Sequence, residues 1–284
     1  MKLYTTISSF QEALDAERAK GFKIGFVPTM GALHEGHLSL VDNAAAMADI
    51  VVVSIFVNPN QFNDPTDLVN YPRTLDSDIE LLDTRQCDYL FYPSVSEVYP
   101  FPDTRHFEFG FLESVMEGEF RPGHFIGVAQ VVSRLFEIVS PDMAFFGQKD
   151  FQQLAIIKDL VRRLNLPVRI IPCDIVREKD GLAMSSRNKL LLPEHRASAP
   201  LIYRTLLEAQ KLSCSKSVQQ VKAYVISTIN SNSLLKIEYF DIVDDLTLSS
   251  VDTWNQPGIK VGCIALYAGK IRLIDNILFN VNQQ

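Results

Sequence analysis

The chain alternates short apolar runs with longer segments whose apolar residues recur at helical spacing. The apolar runs predict strands at 23–28, 50–58, 87–93, 143–148 and 167–176. The segments between them predict helices at 37–48, 74–85, 128–140 and 151–165. The run IVVVSIFVN is apolar on both faces, which is typical of a central strand in a parallel sheet. The alternation therefore predicts an α/β fold, a Rossmann-like doubly wound parallel sheet with helices on both faces.

The pattern changes after about residue 180. Helix-like spacing covers residues 193–230. Strand-like runs follow at 236–244, 260–269 and 271–279. This order predicts a smaller α+β domain. We therefore expect a Rossmann-like domain at 1–176 and a C-terminal α+β domain at 177–284.

Composition and charge restrict the class of protein. The chain has 284 residues, of which 47% are hydrophobic, enough to bury a core. A net charge of −7 and an isoelectric point of about 5.3 argue against a nucleic-acid partner. No apolar run approaches the ~20 residues of a membrane helix, and the first residues lack a signal-peptide core. The four cysteines form no CxxC pair, so we expect a cytoplasmic protein with reduced thiols.

The segment FVPTMGALHEGHLSLV, residues 26–41, follows the first predicted strand. It holds two of the five histidines, His34 and His37, with Gly36 between them. The amides at a helix N-terminus bind phosphate, and both imidazoles can donate hydrogen bonds to it. The spacing H-x-G-H is typical of adenylate-forming nucleotidyltransferases. From this segment alone, a zinc site and a pair of exposed structural histidines stay open as alternatives.

Polar residues also follow other predicted strands, at the edge where open α/β sheets bind ligands. Lys149, in FFGQKDFQQL, can neutralise phosphate charge, and Arg187, in MSSRN, presents a planar cationic fork. MSSRN resembles the KMSKS-type loop that accompanies H-x-G-H in the same superfamily. Asn58 and Gln61, in FVNPNQFN, are amides suited to hydroxyl or carboxylate groups. Taken singly, these segments would be a solvated lysine and ordinary polar turns.

Seven longer stretches occur in the order of one known family. They are PTMGALHEGHLSLV, FVNPNQF, DLVNYPRTLDSDIELL, MEGEFRPGHFIGV, VVSRLFEIVSPDMAFFGQKDFQQLAII, VREKDGLAMSSRN and GKIRLIDNI. On these stretches the sequence resembles the pantothenate synthetase (pantoate–β-alanine ligase) family. The resemblance implies a ligation in two steps. Pantoate and ATP give pantoyl adenylate and pyrophosphate, and β-alanine then displaces AMP to give pantothenate.

The resemblance also implies the residues of the site. The expected catalytic residues, with His37 as the proton donor, are His34, His37, Lys149 and Arg187. Gln61 is expected to bind pantoate and β-alanine, and Gln153 to bind pantoate. The expected ATP contacts are Met30, Gly31, Ala32, Leu33, His34, Glu35, Gly36, His37, Gly147, Gln148, Lys149, Asp150, Val176, Met184, Ser185, Ser186 and Arg187.

Further expectations concern the metal, the assembly and a flap. Mg²⁺ should accompany ATP, with Asp78 as a candidate metal contact. The family resemblance implies a homodimer, and a C-terminal lid domain that carries MSSRN. In RPGHFIGV, residues 121–128, Gly123 and Gly127 predict a flap that excludes water from the adenylate, with His124 in a structural role.

Four positions depart from the family pattern and bear on the substrate pocket: Gln130, Arg134, Glu137 and Leu190. Other functions also stay open. Another H-x-G-H nucleotidyltransferase would release pyrophosphate without forming an amide. A silent binding module would not need polar residues at four strand ends. A tRNA-charging role is disfavoured, because the chain is acidic and shows no anticodon-binding domain.

Overall fold

The computed structural model of the chain describes residues 1–63 and 65–279. Its contacts form two compact units. The first unit comprises Met1–Gln148 and Gln153–Asp174. The second unit comprises Lys149–Gln152 and Ile175–Gln284, of which the last five residues lie outside the described part.

The first unit is built on a six-stranded sheet in which every neighbouring pair is parallel. Its strands are β1 (Lys2–Tyr4), β2 (Ile24–Thr29), β3 (Ile50–Ile55), β4 (Tyr89–Phe91), β5 (Met143–Gly147) and β6 (Arg169–Cys173), in the order β1-β4-β3-β2-β5-β6. Its helices are α1 (Ile7–Arg18), α2 (Glu35–Ala45), α3 (Pro65–Asn70), α4 (Leu75–Asp83), α5 (Val95–Val98), α6 (Glu117–Phe120), α7 (His124–Val139) and, apart from its first two residues, α8 (Phe151–Arg163). The predicted doubly wound parallel sheet is confirmed.

Both faces of the sheet are buried, and successive residues of the central strands serve opposite faces. In β3, Ile50 and Val52 join a core with α1, α7 and α8, whereas Val51 and Val53 join a second core with α2 and α4. This explains why β3 is apolar at nearly every position, and why its run predicted a central strand.

The sequence pattern did not predict β1 or the helices α1, α3, α5 and α6. Strand β1 has three residues with an exposed pattern at the sheet edge, so no apolar run marks it. Helix α7 begins at His124, four residues before the predicted start at Val128. The other predicted strands and helices of the first unit agree with the structure within a few residues.

The second unit has a three-stranded antiparallel sheet covered by helices. The strands β7 (Leu235–Asp244), β8 (Lys260–Ala268) and β9 (Ile271–Phe279) pair in that order. The helices are α9 (Pro193–Ser198), α10 (Leu201–Leu212) and α11 (Val218–Asn230). Apolar residues of α10, α11 and the three strands share one core, which confirms the predicted α+β character. No helix among residues 1–63 and 65–279 is both long enough and apolar enough to cross a membrane.

Candidate active site

The first unit has a switch point where the strand order reverses. From β2 the chain continues into β3 on one side, while β5 and β6 lie on the other side of β2. Open α/β sheets bind ligands in the crevice outside the carboxyl ends of the strands at such a point. The loop of residues 30–34 leaves β2 at this edge, and Gly147 and Gln148 stand at the same end of β5. The topology therefore brings two of the predicted ATP-contact segments to one edge.

Asp78, on α4, holds the loop that follows β2. Its side chain is buried, and its carboxylate accepts the backbone N–H of Ala32 at 3.0 Å and of Leu33 at 2.8 Å. The hydroxyl of Thr74 donates to the same carboxylate at 3.2 Å. The loop turns through positive φ at Gly31 (81°) and Ala32 (50°). A Cβ on Gly31 would lie 2.9 Å from Ile55 Cγ2 and 3.0 Å from Asp78 Oδ2, so both conformation and space require glycine.

These contacts give Asp78 a role other than metal binding. Both of its oxygens already accept hydrogen bonds from the loop. Within residues 1–63 and 65–279, no three His, Cys, Asp or Glu side chains are grouped so that they could hold a metal ion. Asp78 therefore fits an anchor for the loop better than a magnesium ligand.

The two histidines stand at the start of α2. His34 is the N-cap, and its Nδ1 accepts the N–H of Gly36 at 3.1 Å. The helix consequently begins at Glu35, two residues before the predicted start, and His37 lies in the first turn. The imidazole centroids are 4.1 Å apart with a 34° tilt.

Gln61 lies next to the loop after β2. Its amide nitrogen donates to the sulfur of Met30 at 2.9 Å, and its amide oxygen accepts from Asn58 at 3.3 Å. The tyrosine hydroxyl of Tyr99 donates to the other end of the Asn58 amide at 3.2 Å. The structure thus brings Gln61 together with the predicted ATP loop. Gln153 is half-buried in the first turn of α8.

Helix α7 fixes the segment that carries Gln61. The Nδ1 of His124 lies 2.8 Å from the backbone oxygen of Gln61, and Asn58 donates to the backbone oxygen of Gly127 at 3.0 Å. A Cβ on Gly127 would lie 2.3 Å from the backbone oxygen of Asn60. Gly127 therefore permits close packing and not motion. The predicted flap at 121–128 is wrong, because most of that stretch is the buried start of a 16-residue helix.

Three of the four departures from the family pattern meet in one network on α7. Gln130 donates to the backbone oxygens of Asp103 and Arg105 at 3.1 and 2.9 Å, and accepts from Asn60 at 3.3 Å. Glu137 pairs with Arg105 at 2.7 Å and with Arg134 at 3.0 Å. Gln130 therefore touches the residue beside Gln61. The fourth departure, at position 190, is an exposed leucine.

A cavity of about 220 Å³ in the first unit borders the anchored loop. It is lined by Met30, Gly31, Ile55, Phe56, Val57, Arg73, Thr74, Leu75, Asp78, Tyr92, Pro93, Ser94 and Val95. Sequence reasoning did not predict the polar members Arg73, Thr74 and Ser94. Arg73 and Thr74 follow no predicted strand, whereas Ser94 directly follows the strand predicted at 87–93.

Cys173, at the end of β6, has a buried thiol. Burial, with the Asp174 charge as a smaller cause, raises the pKa of its thiol to about 11. The thiol therefore stays protonated near neutral pH. This agrees with a reaction in which no protein side chain forms a covalent intermediate.

In the second unit, MSSRN closes a hairpin-like segment. Arg177 pairs with Ala183 in an antiparallel bridge, and the N–H of Met184 donates to the backbone oxygen of Val176 at 3.0 Å. The hydroxyl of Ser185 caps a short 3-10 turn by accepting the N–H of Arg187 at 3.3 Å. Ser186 is buried in that turn. Val176 and residues 184–187 thus form one continuous substructure, as the predicted contacts would need.

Lys149 and Asp150 also belong to the second unit. The Lys149 ammonium lies 3.9 Å from Asp150 Oδ2, and its side chain is 20% exposed against 49% for Asp150. A loose pair of this kind leaves the lysine able to turn toward a stronger anion.

Comparison with known proteins agrees with this geometry. The family model for pantoate-beta-alanine ligase matches residues 2–278. A pantothenate synthetase from Bacteroides fragilis (strain YCH46) is 51% identical over 279 residues, covering 98% of this chain and 99% of the relative. The crystal structure of pantothenate synthetase from Thermus thermophilus is 41% identical, with a TM-score of 0.92 and coverage of 98% and 99%. Pantoate-beta-alanine ligase from Francisella tularensis, complexed with beta-gamma ATP and beta-alanine, is 36% identical, with a TM-score of 0.82 and coverage of 100% of each chain.

Replacing Asp78 with alanine should release the loop after β2. The amides of Ala32 and Leu33 would lose a buried acceptor, at a cost of about 2–5 kcal/mol in unfolding free energy. We expect their hydrogen exchange to accelerate more than about tenfold. Exchange measured by NMR and urea unfolding would test this. Asp76→Ala, an exposed carboxylate on the same helix, is the matched control. Unchanged protection at both amides would contradict the anchoring role.

Proposed function

Because the chain belongs to the pantoate–β-alanine ligase family, we propose that it joins pantoate to β-alanine with ATP as the activating substrate. The products are pantothenate, a coenzyme A precursor, together with AMP and pyrophosphate. One observation carries the proposal. The H-x-G-H pair starts a helix at the switch point of the sheet, with the Gln61 amide 2.9 Å from Met30 of the same loop. A phosphate-binding feature and an amide suited to a small acid therefore adjoin each other.

The first step activates the acid. A carboxylate oxygen of pantoate attacks the α-phosphorus of ATP, and the bond from that phosphorus to the bridging oxygen breaks. Pyrophosphate leaves with the electron pair, and pantoyl adenylate forms. His37 donates a hydrogen bond or proton to the departing pyrophosphate. His34, through its Nδ1 bond to Gly36, keeps the first turn of α2 in place beside it.

The second step forms the amide. The amine of β-alanine attacks the acyl carbon of the adenylate, loses a proton, and displaces AMP as the carbon–oxygen bond breaks. Gln61 binds pantoate and lies near β-alanine, and Gln153 binds pantoate. The bonds from Asn58 and His124 support this role, because they hold the Gln61 segment in one position. Orientation of this kind can supply roughly 7–11 kcal/mol in the best model reactions.

The charges of ATP need several partners. We assign ATP contacts to residues 30–37, 147–150, 176 and 184–187. Lys149 and Arg187 are the cations of this set and reduce the repulsion between the polyphosphate and the pantoate carboxylate.

Mg²⁺ accompanies ATP and, when bound, neutralises part of the phosphate charge. Magnesium commonly keeps its waters and binds through substrate phosphates, so no cage of protein ligands is required. The hydrogen bonds of Asp78 to the loop argue against that residue as a ligand, and we assign no protein ligand to the ion.

Three wider features complete the proposal. Residues 177–284 act as a lid domain that carries MSSRN. The protein is a cytoplasmic homodimer, as the family resemblance implies. Analytical ultracentrifugation of the purified protein tests the dimer, and a single monomer peak at micromolar concentration would refute it.

The reaction is tested with purified protein, MgATP and pantoate, with and without β-alanine. Mass spectrometry follows pyrophosphate, AMP and pantothenate. We expect AMP and pantothenate to appear together only with β-alanine, and bound pantoyl adenylate to accumulate without it. Absence of pyrophosphate release from pantoate and ATP would make another H-x-G-H nucleotidyltransferase the better assignment.

His37→Ala should slow adenylate formation by about 10²-fold or more, the usual scale for loss of a general acid. The measurement is the single-turnover rate of pyrophosphate release. His106→Ala, which removes an exposed histidine, is the control and should keep the original rate. An unchanged rate in His37→Ala would remove its role as proton donor.

Gln61→Ala should raise the KM for pantoate more than the KM for ATP, because the amide is assigned to the acid. Steady-state titration of each substrate gives both constants. Gln219→Ala, an exposed glutamine in α11, is the control. Equal changes in the two constants would refute a pantoate-specific role.

A further inference from the structure

Asp275 and Asn276, adjacent residues of β9, are buried although both are polar, with exposures of 3% and 7%. They lie in the stretch GKIRLIDNI, to which the reaction assigns no task. Successive side chains of a strand point to opposite faces, so burial of both means that β9 is covered on each face at this point. Buried polar groups of this kind require partners.

Asp275 binds Arg177 in a bidentate ion pair. The two guanidinium nitrogens donate to the two carboxylate oxygens at 2.7 and 2.9 Å. The guanidinium also lies 3.6 Å from the ring centroid of Tyr203 and donates to the backbone oxygen of Gly181 at 3.2 Å. These contacts fix the orientation of Arg177 and of the turn that it spans.

Arg177 stands at the base of the MSSRN segment. Its backbone bridges to Ala183, one residue before Met184. Asn188, the last residue of the motif, donates to the backbone oxygen of Ala183 at 3.0 Å and to Glu178 at 2.8 Å. The ion pair with β9 therefore holds the start of the segment that presents Arg187, and the bonds of Asn188 tie the end of the segment back to that start.

Asn276 holds the other cationic segment. Its side-chain amide donates to the backbone oxygen of Lys149 at 3.0 Å. The segment Lys149–Gln152 packs with the second unit, although the chain on both sides of it belongs to the first. The hydrogen bond from β9 ties this segment to the second unit.

We propose that Asp275 and Asn276, the β9 anchor, are positioning residues that hold the Lys149 and Arg187 segments on one strand, so that both cations reach the polyphosphate as a single body. The inference rests on the proposed function, which assigns both cations to ATP. The proposed function assigns no substrate contact to either anchor residue. Asn276 acts through the backbone of Lys149, and Asp275 acts through the side chain of Arg177 at the base of the MSSRN segment.

Asn276→Ala is the variant to test, because its bond to a neutral carbonyl can be lost with less damage than a buried ion pair. We expect the Kd for a non-hydrolysable ATP analogue, measured by calorimetry, to rise about tenfold. The KM for pantoate should change by less than about twofold. If Asn276→Ala does not fold, Asn276→Ser, which keeps a shorter hydrogen-bond donor, takes its place. We then expect a smaller rise in the Kd for the analogue.

A double-mutant cycle separates positioning from general stability. In the Lys149→Ala background, Asn276→Ala should weaken analogue binding by less than about twofold, because the group that it positions is gone. If Asn276→Ala raised the Kd by the same factor in the original protein and in the Lys149→Ala background, the proposal would be overturned. Hydrogen exchange of the peptide containing residues 149–152 should increase in Asn276→Ala, and unchanged exchange would also overturn it.

Glu238→Gln provides the matched control. Glu238 forms an ion pair with Arg272, a half-buried residue of β9, the strand that carries the anchor. The distance from Arg272 Nε to Glu238 Oε2 is 2.9 Å. Loss of this ion pair should lower the midpoint of urea unfolding and leave the Kd for the analogue unchanged. If Glu238→Gln weakened analogue binding as much as Asn276→Ala, the effect of Asn276→Ala would be explained by lost stability alone, and the proposal would be overturned.

The double-mutant cycle also separates this proposal from the proposed function. If the cycle shows that Asn276 and Lys149 are coupled in analogue binding while the protein forms no pantothenate, the proposed function fails and the positioning role stands.

Discussion

The buried carboxylate of Asp78 is the interaction on which the candidate active site depends. It accepts the amide hydrogens of Ala32 and Leu33, and so keeps the left-handed turn that leads the chain from β2 into α2. That turn decides that His34 caps the helix and that His37 lies in its first turn. A buried carboxylate without donors and a buried amide without an acceptor would each be costly, so the loop and Asp78 stabilise each other.

The proposed function uses two kinds of group, amides and cations. The amides Asn58 and Gln61 belong to the first unit and are held by α7, whereas Lys149 and Arg187 belong to the second. A reaction that brings a carboxylate to a polyphosphate needs both kinds of group. Neutral amides orient an acid through directional hydrogen bonds, and cations lower the repulsion between two anions. Three supporting bonds, from His124, Asn58 and Asn276, end on main-chain oxygens and set the position of a segment. The side chain of Gln61 is itself bonded to Met30 and Asn58.

Sequence reasoning succeeded for elements marked by an apolar run and failed where a single contact decided the outcome. Strand β3 was predictable because both of its faces are buried. The flap was mispredicted because a glycine that supplies freedom and a glycine that supplies space look the same in a sequence. Gly127 is of the second kind, since Asn60 occupies the place of its Cβ. Likewise, Asp78 was predicted at the site, but its acceptor role to a distant loop was not visible.

The sequence by itself determined the parallel sheet, the smaller antiparallel domain and the strand ends at which polar residues collect, because hydrophobic periodicity is a local property. Only the tertiary structure decided which polar side chains meet. Asp78 reaches a loop 45 and 46 residues away, Asn60 meets Gln130 across 70 residues, and Asn276 reaches Lys149 across 127. Such pairs depend on how helices and strands pack in three dimensions, and no local pattern of residues encodes that packing.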